Sequence, residues 1–223
     1  MVRKQKNTSD DLQRLRQEVT QFAGKIPLWV WWLLVLVFGA FVFQYTLVAM
    51  TTYTYKGLTF TIEQEGDLRL HHHAYFIDPT TRYNLYLRED PRENEVPVKG
   101  RIIYDSRRVY LSVNTSELNT CSDSAVGVGT LTSFLGLNGL KVKSASPDPV
   151  KAVEFNVTYA DCTTNQEDMV IILQAGAESL VEKIEDRCFV LTVQNCTVIP
   201  VIEKFMVESV AQRRALGATS LRP

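Results

Sequence analysis

The stretch from Ile26 to Met50 reads IPLWVWWLLVLVFGAFVFQYTLVAM and contains no charged residue. As an α-helix with a rise of about 1.5 Å per residue it would be roughly 37 Å long, enough to cross a hydrocarbon core of about 30 Å. A cleaved signal peptide has a shorter apolar region and a small-residue cleavage site, which this stretch lacks. A buried core helix of this length would normally carry a charged face. The sequence therefore predicts an uncleaved transmembrane signal anchor over residues 26–50.

Flanking charge predicts the orientation of this helix. Residues 1–25 hold six basic and three acidic side chains, a net charge of +3, whereas residues 51–55 hold none. Because basic flanks remain in the cytosol, we expect a cytosolic N-terminus and a lumenal or extracellular segment 51–223. Amphipathic aromatic rings settle at membrane interfaces, and the anchor offers four of them. They are Trp29, Trp31, Trp32 and Tyr45.

All four cysteines follow the predicted anchor, which is typical of a protein whose larger part lies in an oxidising compartment. They are Cys121, Cys162, Cys188 and Cys196. We expect two disulfides, for which three connectivities exist. A Cys188–Cys196 bond conflicts with the strand pattern between them, because such a strand separates its ends by roughly 26 Å and a disulfide tolerates about 7 Å. Each of these two cysteines is therefore expected to pair with Cys121 or Cys162, unless the chain turns near Thr192.

Three N-glycosylation sequons lie on the same side of the anchor as the cysteines. They begin at Asn114, Asn156 and Asn195. The third is the weakest, because its middle residue is Cys196, which is expected to be bridged. Cysteines, sequons and flanking charge together predict a single-pass type II glycoprotein of the secretory pathway or the plasma membrane.

Composition divides the chain into five predicted segments. They are the basic tail 1–25, the anchor 26–50, an exit linker 51–56, a β-rich exported domain 57–199, and a C-terminal helix with a disordered end 200–223. In the tail, residues 8–23 have the pattern of a short amphipathic helix that begins at a capping Thr8. A homodimer through this helix or through the anchor is a further prediction.

The residue pattern of the predicted exported domain indicates a mainly-β (α+β) fold. Short turns link most of its predicted strands, which favours an antiparallel sheet or sandwich with helices appended late. Strands are predicted over 68–77, 82–88 and 152–159, and a helix over 175–186. The glycine-rich run 122–149 is interpreted as a loop with a short strand or helix. Its apolar residues form either a contact surface or part of the core, and we favour the core. They are Leu131, Phe134, Leu135, Leu137 and Leu140.

Candidate chemistry is confined to residues 71–73, because the sequence has no other histidine. In a strand, His71 and His73 share one face and His72 points to the other. The first and third are weak candidates for a metal site or a pH sensor, and the sequence supplies no third ligand. Neither a Gly-x-Ser-x-Gly elbow nor an Asp-x-Asp motif is present, and no basic patch indicates nucleic-acid binding.

We therefore expect a non-enzymatic membrane glycoprotein without a cofactor, whose exported domain binds another protein. It would act as an accessory subunit of a membrane complex, or as a surface receptor or adhesion module. The alternative is a small lumenal enzyme, or a metal- or pH-sensing protein, that uses His71 and His73. The expected partners are the membrane and other membrane or surface proteins, and nucleic acid is not among them.

Overall fold

The structure, a computed structural model, describes residues 27–220 apart from 105, 165 and 166. The predicted tail helix 8–23 lies outside the described residues. The chain divides into two compact units, residues 1–50 and 51–223. In the first unit, α1 covers Leu28–Thr51, and its part Leu28–Thr46 is long and apolar enough to cross a membrane, with none of it buried. The predicted apolar helix is thus confirmed. The four aromatic residues predicted to lie at membrane interfaces are all exposed.

Sheet A, at the start of the second unit, is a four-stranded antiparallel meander in the order β1-β2-β3-β4. Its strands are β1 (Thr52–Tyr55), β2 (Leu58–Glu65), β3 (Leu68–Phe76) and β4 (Arg82–Leu87). The predicted β3–β4 hairpin is confirmed, and Asp78 Oδ1 fixes its turn by accepting the backbone N–H groups of Thr80 and Thr81 at 2.9 and 2.8 Å. The segment predicted as an exit linker, 51–56, instead contains β1, which pairs with β2.

Sheet B has seven strands and is mostly parallel. Its spatial order is β5 (Val98–Lys99), β10 (Leu180–Glu185), β11 (Cys188–Val193), β9 (Met169–Ala175), β6 (Arg108–Val113), β7 (Lys141–Ser146) and β8 (Thr158–Tyr159). Within the described residues, β10 and β11 form its one antiparallel pair. The antiparallel prediction is therefore wrong for this sheet. The chain passes from β6 to β7 and from β7 to β8 through helices, and such crossovers return each strand in the same direction.

Four helices follow α1 in the described residues, and the last of them is the predicted C-terminal helix. They are α2 (Thr115–Leu118), α3 (Ser124–Leu137), α4 (Pro149–Glu154) and α5 (Val198–Ser220). The predicted strand 152–159 is wrong over most of its length, because Asp148 caps α4 by accepting the Val150 N–H at 2.8 Å and Pro149 suits the first turn. The predicted helix 175–186 is wrong too, because its second half forms β10 and pairs with β11.

The glycine-rich run 122–149 contains the 14-residue helix α3, which packs on α5, and strand β7. Gly127 permits this contact, because a Cβ there would lie 2.8 Å from Val198 Cγ1. Four of the five apolar residues of the run are buried, in agreement with the interpretation as core, whereas Leu137 is exposed.

Helix α5 joins the two sheets in one apolar core. Every residue from Val201 to Ala211 is buried. The predicted C-terminal helix is confirmed, and Phe205 at its centre contacts Phe189 of β11 with ring centroids 5.8 Å apart. The helix begins at Val198, before the predicted start at residue 200, and continues to Ser220.

Three charged side chains of α5 are buried, and each has partners. Glu203 accepts the backbone N–H groups of Arg88 and Glu89 at 2.7 and 3.0 Å. Lys204 Nζ donates to the Asn94 carbonyl at 2.7 Å, and Glu208 forms an ion pair with Lys56 of the β1–β2 turn. These contacts fasten the middle of α5 to sheet A and to the loop that follows it.

Two disulfides hold the second unit together. One joins Cys121, before α3, to Cys196, before α5, and the other joins Cys162 to Cys188 at the start of β11. The segment that follows Cys188 is extended as β11, as the sequence predicted. The observed pairing is one of the two connectivities that remain possible with such a strand. The first bond closes over 75 residues and the second over 26.

Candidate ligand pocket around His73

The three histidines alternate across β3 as the strand pattern predicts. His71 and His73 point inward and are 3% and 5% exposed, whereas the His72 ring lies on the other face. There His72 Nδ1 is 2.7 Å from Glu63 Oε1, and the ring stacks on Tyr86. The inward position of two histidines is unusual for a sheet in which polar side chains normally face water.

His71 belongs to a polar cluster at the edge of sheet A. Its Nδ1 lies 2.7 Å from the hydroxyl of Tyr53 in β1. The Arg92 guanidinium lies 3.8 Å from the centroid of the Tyr53 ring and is itself held by Asp90. Burial lowers the pKa of His71 and raises that of Tyr53. The ring of His71 is therefore neutral near pH 7 and engaged with its neighbours.

His73 has one nitrogen engaged and one without a partner. Its Nδ1 lies 2.8 Å from the Thr59 carbonyl, which can only accept, so Nδ1 carries the hydrogen. Burial lowers the pKa of His73, and the ring is therefore neutral near pH 7. Its Nε2 is then a bare acceptor, and it is buried without a hydrogen-bond partner among the described residues.

A cavity of about 340 Å³ lies beside His73, between the end of β3, the end of α3 and α5. This volume is within the range of small-molecule sites. Its lining combines aliphatic and aromatic walls with a few polar groups. The lining residues are Leu58, His73, Ala74, Tyr75, Phe76, Ile77, Tyr104, Phe134, Asn138, Ser209, Val210, Arg213 and Arg214. We call this cavity the His73 pocket.

Tyr104 supplies a second buried polar atom without a partner. The Ser209 hydroxyl interacts with Tyr104, but it donates to the Met206 carbonyl at 2.8 Å, and its contact with Tyr104 does not reach hydrogen-bond geometry. Burial raises the pKa of Tyr104, which therefore keeps its proton as a potential donor. Two residues that line the cavity, His73 and Tyr104, therefore each have a solvent-inaccessible polar atom without a partner among the described residues, which is rare because buried polar atoms are almost always hydrogen-bonded.

The exposed rim of the pocket is cationic and partly fixed in position. The Arg213 guanidinium lies 5.2 Å from the centroid of the Tyr104 ring and 3.4 Å from Asn138 Oδ1. The Tyr75 hydroxyl donates to the same Asn138 oxygen at 3.0 Å, and burial raises the pKa of Tyr75 to about 12. Arg214 adds a second exposed guanidinium.

The weak metal candidates, His71 and His73, are not brought together with further ligands. Across the described residues there is no group of three or more His, Cys, Asp or Glu side chains suited to a metal ion. The two rings instead serve separate neighbours, Tyr53 for His71 and Thr59 for His73.

Sequence reasoning missed the other polar residues of the pocket. Tyr104, Asn138 and Arg213 are far apart in the chain and belong to no motif. One signal was present, because Ser209 and Arg213 are four residues apart in a predicted helix and therefore share a face. That face continues the apolar side of α5 into the pocket.

No protein family model matches the chain, and no curated protein or solved structure gives a significant match. Function must therefore follow from the chemistry of the residues themselves.

Proposed function

We propose that this chain is a single-pass type II membrane protein whose segment 51–223 binds a ligand in the lumen of the secretory pathway or outside the cell. Three features support the topology. The apolar helix α1 is long enough to span a bilayer, the preceding segment carries a net charge of +3, and both disulfides lie after the helix.

The sequons offer a direct test of this topology. Asn156 is exposed in a left-handed turn with φ of 53°, whereas Asn114 is half-buried where β6 ends. Asn195 is exposed but adjoins the bridged Cys196. We therefore propose Asn156 as the best glycosylation site. Glycosidase treatment should increase the gel mobility of the full chain, and Asn156→Gln should remove most of that shift. An unshifted band, with protease access to the C-terminal segment in sealed cytosol-facing vesicles, would reverse the orientation.

The observation that carries ligand binding is the composition of the His73 pocket, in which apolar and aromatic walls are combined with Asn138 and with the exposed Arg213 and Arg214 at the rim. Binding sites combine apolar walls with a few placed polar groups, which describes this cavity. Binding rather than catalysis is proposed, because the pocket presents no nucleophile paired with a base.

Fragment screening tests the pocket directly. Fluorinated aromatic fragments would be added to the full chain in lipid nanodiscs, with empty nanodiscs as a blank, and monitored by fluorine NMR. Some fragments should bind the wild type but not Val210→Trp, which fills the cavity. Val150→Trp, on the exposed surface of α4, is the matched control and should bind like the wild type. Equal binding to all three folded proteins would refute the pocket as a ligand site.

A partner protein remains the second candidate, favoured by exposed apolar residues of α4 and its end. Val150, Val153 and Phe155 are 70%, 83% and 52% exposed, which is uncommon for apolar side chains in one short segment. A glycan on Asn156 would cover this surface, so the two proposals compete. A photo-crosslinking residue at position 153 in the Asn156→Gln variant should give a discrete protein adduct, and one at exposed Thr80 should not. Identical behaviour at the two positions would dismiss this candidate.

A further inference from the structure

The end of α4 fixes the backbone of Asn156. The Asn156 N–H donates to the Val153 carbonyl at 3.2 Å, and the Val157 N–H donates to the Ala152 carbonyl at 2.9 Å. These two bonds form a Schellman motif, in which the residue that follows the helix is left-handed, as Asn156 is with φ of 53°. Asn156 is also exposed. A glycan attached to its side chain would therefore start from an ordered turn.

Apolar side chains flank this attachment point on both sides along the chain. Phe155 is about half exposed, and Val153, one helical turn before Asn156, is largely exposed. Phe155 and Val157 also line a groove of about 350 Å³ beside α3, β6 and β7, and the described residues that line this groove include no charged side chain. Exposed apolar side chains grouped in this way mark a surface that makes a contact.

The first sugar of a glycan on Asn156 would be within reach of the Phe155 ring, because the Cα atoms of neighbouring residues are about 3.8 Å apart. One face of a pyranose ring consists largely of C–H groups, and the negative face of an aromatic ring attracts them. Covering the ring also removes apolar surface from water. Covalent attachment makes the contact intramolecular, so it forms at a high effective concentration.

We propose that an N-linked glycan on Asn156 packs its first sugar on the Phe155 ring and covers the apolar end of α4. The group that occupies this surface is then carried by the chain itself, next to the exposed ring. The Schellman motif holds both residues in place in the folded protein, and the unfolded chain has no such constraint, so the glycan stabilises the fold. This inference rests on the proposed function, in which segment 51–223 is exported and Asn156 is glycosylated.

A double-mutant cycle tests the contact. The full chain is produced in a eukaryotic host and purified in detergent, with and without Thr158→Ala, which removes the sequon but keeps Asn156. Each form is also prepared with Phe155→Ala, and urea denaturation gives the equilibrium constant for folding. Loss of the glycan should lower this constant about fivefold when Phe155 is present, and less than about twofold with Phe155→Ala.

Further variants and an enzyme treatment assign the effect to the ring and to the first sugar. Thr158→Ser keeps the sequon and should keep the full effect, and Phe155→Leu, which is apolar but lacks the ring, should keep part of it. Leu68→Ala removes an exposed apolar side chain of sheet A and should leave the effect of the glycan unchanged. An endoglycosidase that leaves only the first sugar should preserve most of the stabilisation. Mass spectrometry of the glycopeptide measures the occupancy of Asn156.

The outcomes separate this inference from the proposal on which it rests. An equal loss with Phe155 and with Phe155→Ala, or an effect that disappears on trimming to the first sugar, would overturn the contact. An unoccupied Asn156 beside an occupied Asn114 would overturn the inference and leave the exported topology in place. No glycan at any sequon, with protease access to the C-terminal segment in sealed cytosol-facing vesicles, would refute the topology as well.

Discussion

The middle of α5 and its end near the His73 pocket both lie beside buried polar side chains, but these side chains differ in whether they are hydrogen-bonded. Glu203, Lys204 and Glu208 are buried, and each meets a partner from sheet A or the loop after it. Five residues after Glu208 the situation reverses, since the pocket residue Arg213 lies beside a cavity whose lining residues His73 and Tyr104 each have a buried polar atom without a partner among the described residues. Hydrogen-bonded buried groups stabilise the fold, whereas each unpaired one costs stability.

Lys204 offers the largest test of this contrast. Lys204→Met should lower the free energy of unfolding by about 2–4 kcal/mol, because the Asn94 carbonyl loses its donor and the nearby Glu208 loses a cation. Chemical denaturation of the full chain in detergent measures this. Lys151→Met, which breaks a surface pair with Glu154, should change the value by no more than about 0.5 kcal/mol. Similar effects for the two variants would show that the α5 network is not structural.

Glu203 should show a smaller loss with a defined pH dependence. Glu203→Gln should cost about 1–3 kcal/mol, because an amide cannot accept two backbone N–H groups with both its terminal atoms. Burial raises the pKa of Glu203 to about 7, above its ordinary 4.5. The stabilisation linked to its protonation is therefore complete below about pH 4.5 and is lost as the pH rises through 7.

The advantage of the wild type over Glu203→Gln should accordingly shrink between pH 5 and pH 8, as measured by denaturation at several pH values. A difference that grows over this range would mean that the two N–H donors outweigh burial. Glu154→Gln, on the surface, is the control.

His73 should give a pH dependence of the opposite sign in acid. Burial lowers the pKa of both His71 and His73 below the ordinary 6.5, so the unfolded chain takes up protons first as the pH falls. Stability from these rings is present above pH 6.5 and is lost below it. His73→Gln should therefore flatten the decline of the unfolding free energy between pH 6.5 and pH 5, and adding His71→Gln should flatten it further. Parallel curves for wild type and variants would contradict this.

Tyr104→Phe should give the smallest change in stability. It tests most directly whether an unpaired buried group differs from a paired one. Tyr104→Phe removes a buried hydroxyl that has no partner, so the ligand-free protein should be unchanged or more stable by up to about 1 kcal/mol. Thermal unfolding without ligand measures this. A loss of stability beyond 1 kcal/mol would mean that the hydroxyl is bonded internally.

Structural features that depend only on neighbouring residues could be predicted from the sequence. Alternation placed His71 and His73 on one face, and the C-terminal helix was predicted from its own segment of the chain. The parallel order of sheet B could not be predicted, because it depends on which strands meet after the helical crossovers. Residues 180–185 were misread for the same reason, since their apolar spacing suits a helix or a strand and only the pairing with β11 decides between them.

The pocket was beyond prediction because its polar residues come from four separate parts of the chain. Tyr104 follows β5, Asn138 follows α3, and Arg213 lies on α5, so only the packed fold brings them to His73. The glycines of residues 122–149 led to the prediction of a loop there. Gly127 instead lies in α3, and its small size lets α3 approach α5.

Helix α5 also determines when the folding of segment 51–223 can be completed. It follows every described strand along the chain, yet it supplies the centre of the core and the partners for the β1–β2 turn. The ribosome must therefore pass Ala211 before either sheet can complete its packing. In the proposed topology, Asn114 and Asn156 would enter the lumen before α5 is synthesised and would meet the glycosylation machinery on an unfolded chain. Asn195 would arrive only shortly before α5, as Cys196 becomes available to Cys121, so modification and oxidation would compete at that one site.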